Sequence, residues 1–210
     1  MKKIAVVCAN GKAGRLIANE AVERGLDVTA VVRGENKTRA QHVLLKDLYD
    51  LTTEDLEQFD AVVDAFGAWT EETLSQHSTS LKHLCDILSE KETRLLIVGG
   101  AGSLYVNPEH TACVADGPEF PDAFKPLAAA MAKALGELRE RSDVRWTYIS
   151  PAGDFQADGT RTGEYILGGE ELTLNDSGES IISYADYAIA MVDEIVEGNH
   201  IRERISVVRK

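Results

Sequence analysis

The stretch AVVCANGKAGRLI, residues 5–17, decides the fold. An apolar run, Ile4 to Val7, meets a loop of small residues, and helical spacing follows with Leu16, Ile17, Ala21 and Val22 apolar. A strand that turns through small residues into a helix is a place where a phosphate can be held. The first N–H groups of the helix are free, and the helix dipole favours an anion. In a G-x-x-G-x-x-G turn the three glycines would stand at positions 8, 11 and 14, and this chain has Cys8, Gly11 and Gly14. Gly11 is expected to allow close approach of a pyrophosphate, and Gly14 to let the helix pack against the strand. Cys8 is small enough to fill the first place if its φ stays negative, and reads as a structural thiol with no base beside it. Asn10, Lys12 and Ala13 complete the expected dinucleotide contacts of this loop.

Outward from this loop, strands and helices alternate. The pattern predicts strands over residues 3–8, 27–32, 42–45, 60–65, 94–98, 145–150 and 204–208. It predicts helices over 11–24, 71–90 and 127–140. A last helix runs to residue 197 from a Ser183 cap, with Asp186 three residues on as its partner. Gly25 has the place of a helix-ending glycine. This order implies an α/β fold: a Rossmann-type, doubly wound parallel sheet with helices on both faces, as a single domain over 1–210. After Pro151 the texture changes. Glycines punctuate short strand-like pieces at 165–167 and 172–174, so residues 151–182 are expected to form a small loop-rich region on the substrate side.

The bulk numbers exclude some functions. The formal net charge of −13 argues against nucleic acid as the main partner. The three cysteines, Cys8, Cys85 and Cys113, are widely spaced with no C-x-x-C, which predicts a reducing compartment and neither disulfides nor a zinc site. The five histidines fall into no ligand pattern, so no metal is expected. Lys2-Lys3 and the apolar residues after them break at Asn10-Gly11, too soon for a signal peptide, and no run suits a membrane span. A cytoplasmic protein, monomer or homodimer, is the expectation.

The end of the second predicted strand bears on the ligand. An NAD-preferring site has an acidic residue there for the ribose 2′-hydroxyl. Here Arg33 follows Val32, and an arginine can grip a 2′-phosphate bidentately, with Lys12 and Arg15 adding positive charge. This favours NADP(H). A solvated surface arginine is the equal alternative, and Glu35 leaves NAD(H) open.

The opening 31 residues of the strand–loop–helix–strand unit, KIAVVCANGKAGRLIANEAVERGLDVTAVVR, resemble the atypical short-chain dehydrogenase/reductases with an NAD(P)H-binding domain. Further on, RLLIVGGAGSLYV, WTYISPAGDF, RTGEYILGG and ISYADYAIAMVDEI resemble members of the NADH-flavin reductase type. More distantly the chain is similar to biliverdin-IXβ reductase, which also reduces flavins, and to NmrA-like regulators. The resemblance implies further cofactor contacts. Asp47 and Leu48 would flank the adenine, and Ala65, Phe66 and Gly67 the adenosine ribose. Gly99, Gly100 and Ser103 would lie near the nicotinamide, and Ser150, Pro151 and Ala152 would close over its amide. Phe66 and Trp69 read equally well as packing residues at the rim.

Main-line members of that superfamily protonate a developing alkoxide with the tyrosine of a Tyr-x-x-x-Lys pair. No tyrosine in this chain has a lysine four residues on, and on the helix predicted to carry the pair, Ala129 stands four residues before Lys133. A ketone needs a placed acid. A flavin or quinone takes its proton from solvent after hydride transfer. The leading expectation is therefore an NADPH-dependent reductase of a small conjugated acceptor, with Ser103 as candidate hydrogen-bond donor and free flavin as a candidate substrate. The alternative is a non-catalytic NAD(P) redox sensor of NmrA-like type.

Overall fold

The structure, a computed structural model, describes residues 1–210. Ten strands and five α-helices follow in the order β1 (Lys3–Val7), α1 (Lys12–Glu23), β2 (Asp27–Val32), β3 (His42–Leu45), α2 (Thr53–Leu56), β4 (Ala61–Asp64), α3 (Gln76–Ile87), β5 (Arg94–Val98), α4 (Lys125–Arg139), β6 (Arg145–Ser150), β7 (Asp154–Gln156), β8 (Tyr165–Gly168), β9 (Ile181–Ser183), α5 (Tyr184–Glu197) and β10 (Glu203–Arg209). Eight strands form one sheet in the order β3-β2-β1-β4-β5-β6-β10-β8. Every pairing is parallel except that of β8 with β10. The fold is Rossmann-type α/β. Chain order reverses between β1 and β4, which opens a crevice above their carboxyl ends.

The continuous apolar runs follow from burial on both faces. Ile4 and Val6 of β1 join the core under α1 and α5, while Ala5 and Val7 join the core under α3 and α4. α5 is closed as its sequence predicts. Ser183 Oγ accepts the Asp186 N–H at 3.0 Å, and Gly198 ends the helix in the left-handed region. At the opposite edge from the crevice, buried Arg94 meets the Glu194 carboxylate at 2.6 Å, the Glu194 carbonyl at 2.8 Å and Thr147 Oγ1 at 2.7 Å. This network ties the end of α5 to the starts of β5 and β6.

The structure departs from the sequence reading in four places. The helix predicted over 71–90 is broken: Thr73 Oγ1 donates to the Thr70 carbonyl and closes a 3₁₀ turn, Glu71–Thr73, before α3 begins. Residues 172–174 form no strand, because Leu172 N–H donates to the Tyr105 carbonyl of a crossing loop. β7 and β9, three residues each, pair parallel as a separate ribbon, too short to show a period in sequence. The sheet also has one antiparallel edge, β8, within the region expected to be loop-rich.

That region is fastened down. The buried Asp186 carboxylate accepts the N–H groups of Thr162 and Gly163 and the hydroxyls of Thr162 and Ser183, at 2.9–3.1 Å. Arg161 pairs with Glu20 of α1 at 2.8 Å. Residues 161–163 are thus clamped against α5 and α1.

Candidate cofactor site

At the tip of β1 the chain reverses within three residues. The Gly11 N–H donates to the Cys8 carbonyl at 3.0 Å, and the Arg15 N–H to the Gly11 carbonyl at 2.9 Å. This turn requires Cys8 to adopt φ +59°, so the expectation of a negative φ is corrected: cysteine occupies the left-handed place that glycine would fill without strain. Gly14 has the predicted packing role. A Cβ there would lie 2.8 Å from the Cys8 carbonyl, 3.1 Å from the Ala9 Cα and 3.2 Å from the Ala65 Cβ. Gly11, at φ −64°, caps α1 with no side-chain hydrogen bond, and no acidic residue stands in the first turn. The N–H groups of Lys12, Ala13 and Gly14 therefore open onto the crevice with the positive end of the helix behind them.

The surroundings of the Cys8 thiol disfavour its thiolate form. Burial pushes its pKa up to about 12; Asp64 adds to the rise and Arg33 opposes it.

Asn10 has a task that its sequence position does not announce. Its Nδ2 donates to the Glu35 carbonyl and its Oδ1 accepts the Lys37 N–H, both at 2.8 Å. The loop after β2 is thereby stapled to the loop after β1. Arg33 is mostly exposed, with its guanidinium 3.6 Å from Asp47 Oδ2. Asp47 itself caps a short 3₁₀ turn by accepting the Tyr49 N–H at 3.0 Å, and Leu48 is buried beneath it. Lys12, Arg15 and Lys37 are exposed without a carboxylate in ion-pair range.

Across the crevice, Ala65 is bound to the Val7 carbonyl, and Phe66 sits edge-on to His77 with ring centroids 5.6 Å apart. Exposed Trp69 lies over Gly67, so it is a rim residue. Asp64, at the end of β4, is almost fully buried and accepts the Phe66 N–H at 3.0 Å. Burial raises its pKa to about 6, against the opposing pull of that hydrogen bond. Gly99 is required by packing, since a Cβ there would run into the Tyr148 ring, whereas one on Gly100 would meet only the flexible Met131 side chain, 2.9 Å from its sulfur. Ser150, Pro151 and Ala152 are buried, and the Ser150 hydroxyl has no hydrogen-bond partner in the protein.

Ser103 is held by a residue that no sequence motif singles out. Arg204 of β10 donates from Nη1 to the Ser103 carbonyl at 3.0 Å and to its Oγ at 2.9 Å. Its Nη2 pairs with the Glu170 carboxylate, which also receives Arg139 at 2.6 Å. The Tyr105 ring stacks on His110 at 4.2 Å and stands 5.5 Å from the Arg204 guanidinium. α4 carries Ala129 and Lys133 and no tyrosine.

A family described as NAD(P)H-binding matches residues 8–196. The chain belongs to it. It is 45% identical over 210 residues to the Uncharacterized protein YwnB of Bacillus subtilis (strain 168), covering 98% of each chain. Among solved structures it superposes on SP1627 of Streptococcus pneumoniae TIGR4, named "a putative NADH-flavin reductase", with TM-score 0.98, 52% identity and full coverage of both chains. A protein from Lactobacillus casei matches with TM-score 0.88 and 31% identity over 99% of each chain. The residues fit the family's ligand: the close approach at Gly14, the open first turn of α1 and the crevice at the strand reversal together suit a dinucleotide diphosphate.

Two outcomes follow from this geometry. Replacing Cys8 with glycine removes the left-handed strain but adds unfolded-chain entropy and removes thiol packing, so Cys8→Gly is expected to raise stability by about 0.5–1 kcal/mol in urea unfolding. A loss of more than about 1 kcal/mol would show that thiol packing outweighs the strain. For Asp64, the raised folded pKa means that stability present below the unfolded pKa is lost as pH rises through about 6. Asp64→Asn is therefore expected to gain roughly 1–3 kcal/mol over the parent at pH 8 and little at pH 4. An equal difference at both pH values would contradict the burial of an ionisable carboxyl.

Proposed function

We propose that the protein is an NADPH-dependent oxidoreductase that reduces a flat conjugated acceptor such as a flavin or quinone. The observation that carries this reading is the pairing of a family-typical dinucleotide crevice with a catalytic helix that lacks an acid: α4 has Ala129 where the tyrosine of a Tyr-x-x-x-Lys pair would stand. The name carried by SP1627 points to the same chemistry.

When bound, the reduced dinucleotide supplies a hydride, and the acceptor gains one proton from solvent. The chain's own residues bind, orient and exclude water. The first turn of α1 faces the diphosphate, and Gly11 leaves it room. Arg33, with Lys12, Arg15 and Lys37 nearby, takes the 2′-phosphate, and the Asn10 staple holds their loop in place. Asp47, Leu48, Ala65, Phe66 and Gly67 border the adenosine, and Gly99, Gly100 and the Ser150–Ala152 backbone border the nicotinamide. Ser103 accepts from Arg204, which leaves its own hydroxyl proton free to donate to an acceptor oxygen or nitrogen.

Stopped-flow mixing of NADPH-loaded protein with flavins and quinones tests the reaction, and rapid loss of the NADPH signal with at least one of them is the expected result. Tight cofactor binding with silence across the set would favour the redox-sensor reading. Arg33→Ala is expected to weaken NADPH roughly tenfold and leave NADH unchanged. Equal affinities of the parent for the two cofactors would remove that role from Arg33. Gly11→Val is expected to abolish binding with the fold intact, since φ −64° suits valine and its branches would occupy the diphosphate's place.

A further inference from the structure

Under the turns that follow β4 and β5 lies a cavity of about 20 Å³ between α3 and α4. Asp64, Phe66, His77, Ser80, Ile97 and Tyr148 line it. One water molecule needs about 10–15 Å³ of such space and two to four polar partners. Ser80, Asp64 and Tyr148 have unspent hydrogen-bonding capacity here. Ser80 Oγ is buried and has no partner in the protein. The Asp64 carboxylate receives only the Phe66 N–H. The Tyr148 hydroxyl accepts the Gly100 N–H at 3.1 Å, and its own proton has no acceptor. His77 is turned to the Ala68 carbonyl, which its Nε2 meets at 3.0 Å, and its remaining capacity is the single acceptor Nδ1. The titratable groups facing Asp64 are Cys8 from the loop after β1, His77 and Cys85 from α3, and Tyr148 from β6. No lysine or arginine lines the cavity, so the carboxylate has no ion-pair partner there.

We propose that Asp64, Ser80 and Tyr148 together bind one internal water molecule, and that this water couples the turn after β4 to the turn after β5. Each turn donates one backbone N–H to a side chain that lines the cavity: Phe66 to Asp64, and Gly100 to Tyr148. The Tyr148 hydroxyl donates to the water, the water donates to the Asp64 carboxylate, and the Ser80 hydroxyl completes its shell. An orphaned hydroxyl and an under-supplied carboxylate, each costly when buried alone, are thereby satisfied together. The consequence for function rests on the cofactor reading above, which sets these two turns at the ribose and the nicotinamide; the water then fixes their spacing. The water site itself does not depend on that reading.

A high-resolution crystal structure of the cofactor-free protein is the direct test. A fully occupied water within hydrogen-bond distance of all three side chains is expected; no peak, or a water touching only one of them, overturns the proposal. Coupling is read by amide hydrogen exchange at Phe66 and Gly100. Ser80→Val, which fills the cavity, is expected to speed exchange at both amides roughly tenfold, and Ser80→Ala, which leaves the space, by less than about threefold. Tyr148→Phe is expected to speed exchange at Phe66, which bonds only to Asp64; no change at Phe66 in this variant refutes the coupling even if Ser80→Val fails to fold. NADPH titration of the same proteins separates the two layers. Ser80→Val is expected to weaken binding about tenfold. A parent protein that binds no dinucleotide defeats the cofactor reading, while crystal and exchange data still decide the water.

Discussion

The carboxyl edge of the sheet depends on how closely α1 approaches the tip of β1. Gly14 sits so near the Cys8 carbonyl that any side chain there would force the helix away. That same carbonyl accepts the Gly11 N–H, and this closes the reversal. The two demands fix the direction of the first helical turn and leave its N–H groups pointing into the crevice between β1 and β4. They also force Cys8 into the left-handed region, at a cost of roughly 1–2 kcal/mol before compensation. The strain persists because the surrounding structure over-determines it: Ala9 is bound to Val31, Ala65 to Val7, and the Asn10 side chain to the loop after β2.

Charge at this edge runs against the charge of the whole chain. A net −13 protein repels a polyanionic ligand at long range. Most of its lysines and arginines are occupied by carboxylates, as Arg139 and Arg204 are by Glu170 and Arg141 is by Asp86 and Asp143. Lys12, Arg15 and Lys37 escape this pairing and stand around the first turn of α1 and its stapled neighbour. Arg33 is held only loosely by Asp47. Local donors thus dominate within a screening length of the crevice, where the global field has decayed. Asp64, the carboxylate at the end of β4, lines the cavity between α3 and α4.

The fold was legible because it follows from periodicity. Strands buried on both faces read as near-continuous apolar runs, as β1, β4 and β5 do, while β2 and β6 carry a threonine within theirs. Elements set by side-chain hydrogen bonds were less legible. The early break before α3 depends on a threonine turning back to its own loop, and the three-residue β7 and β9 are too short to carry any period. At the site, the glycine spacing revealed the loop but not its geometry, since a residue's φ is not written in its identity. The long-range partners, Asn10 with residues 35 and 37, Arg204 with Ser103 and Asp186 with residues 162 and 163, lie 23 to 101 residues apart in sequence. Only the capping relation of Ser183 to Asp186 is local, and it was the part that sequence showed.

Local rules are broken at both edges of this protein: Glu90 and Arg202, before β5 and β10, adopt φ +57° and +59°, and the buried Arg94 Nε has no hydrogen-bond partner. Where β5, β6 and α5 meet at the amino ends of the strands, Arg94 finds Glu194 and Thr147, and α5 is capped at both ends. At the carboxyl edge a cysteine occupies a glycine conformation, α1 begins without a cap, a buried carboxyl lacks a cation, and the Ser80 hydroxyl lacks a protein partner. Each of these would be corrected by a commonplace substitution if stability were the only demand. At the carboxyl edge these departures leave donors and acceptors unspent for a ligand and for solvent. A sequence optimised for the fold alone would have put glycine at 8 and an N-cap serine at 11, and the serine would have spent on itself the helix N–H groups that a diphosphate needs.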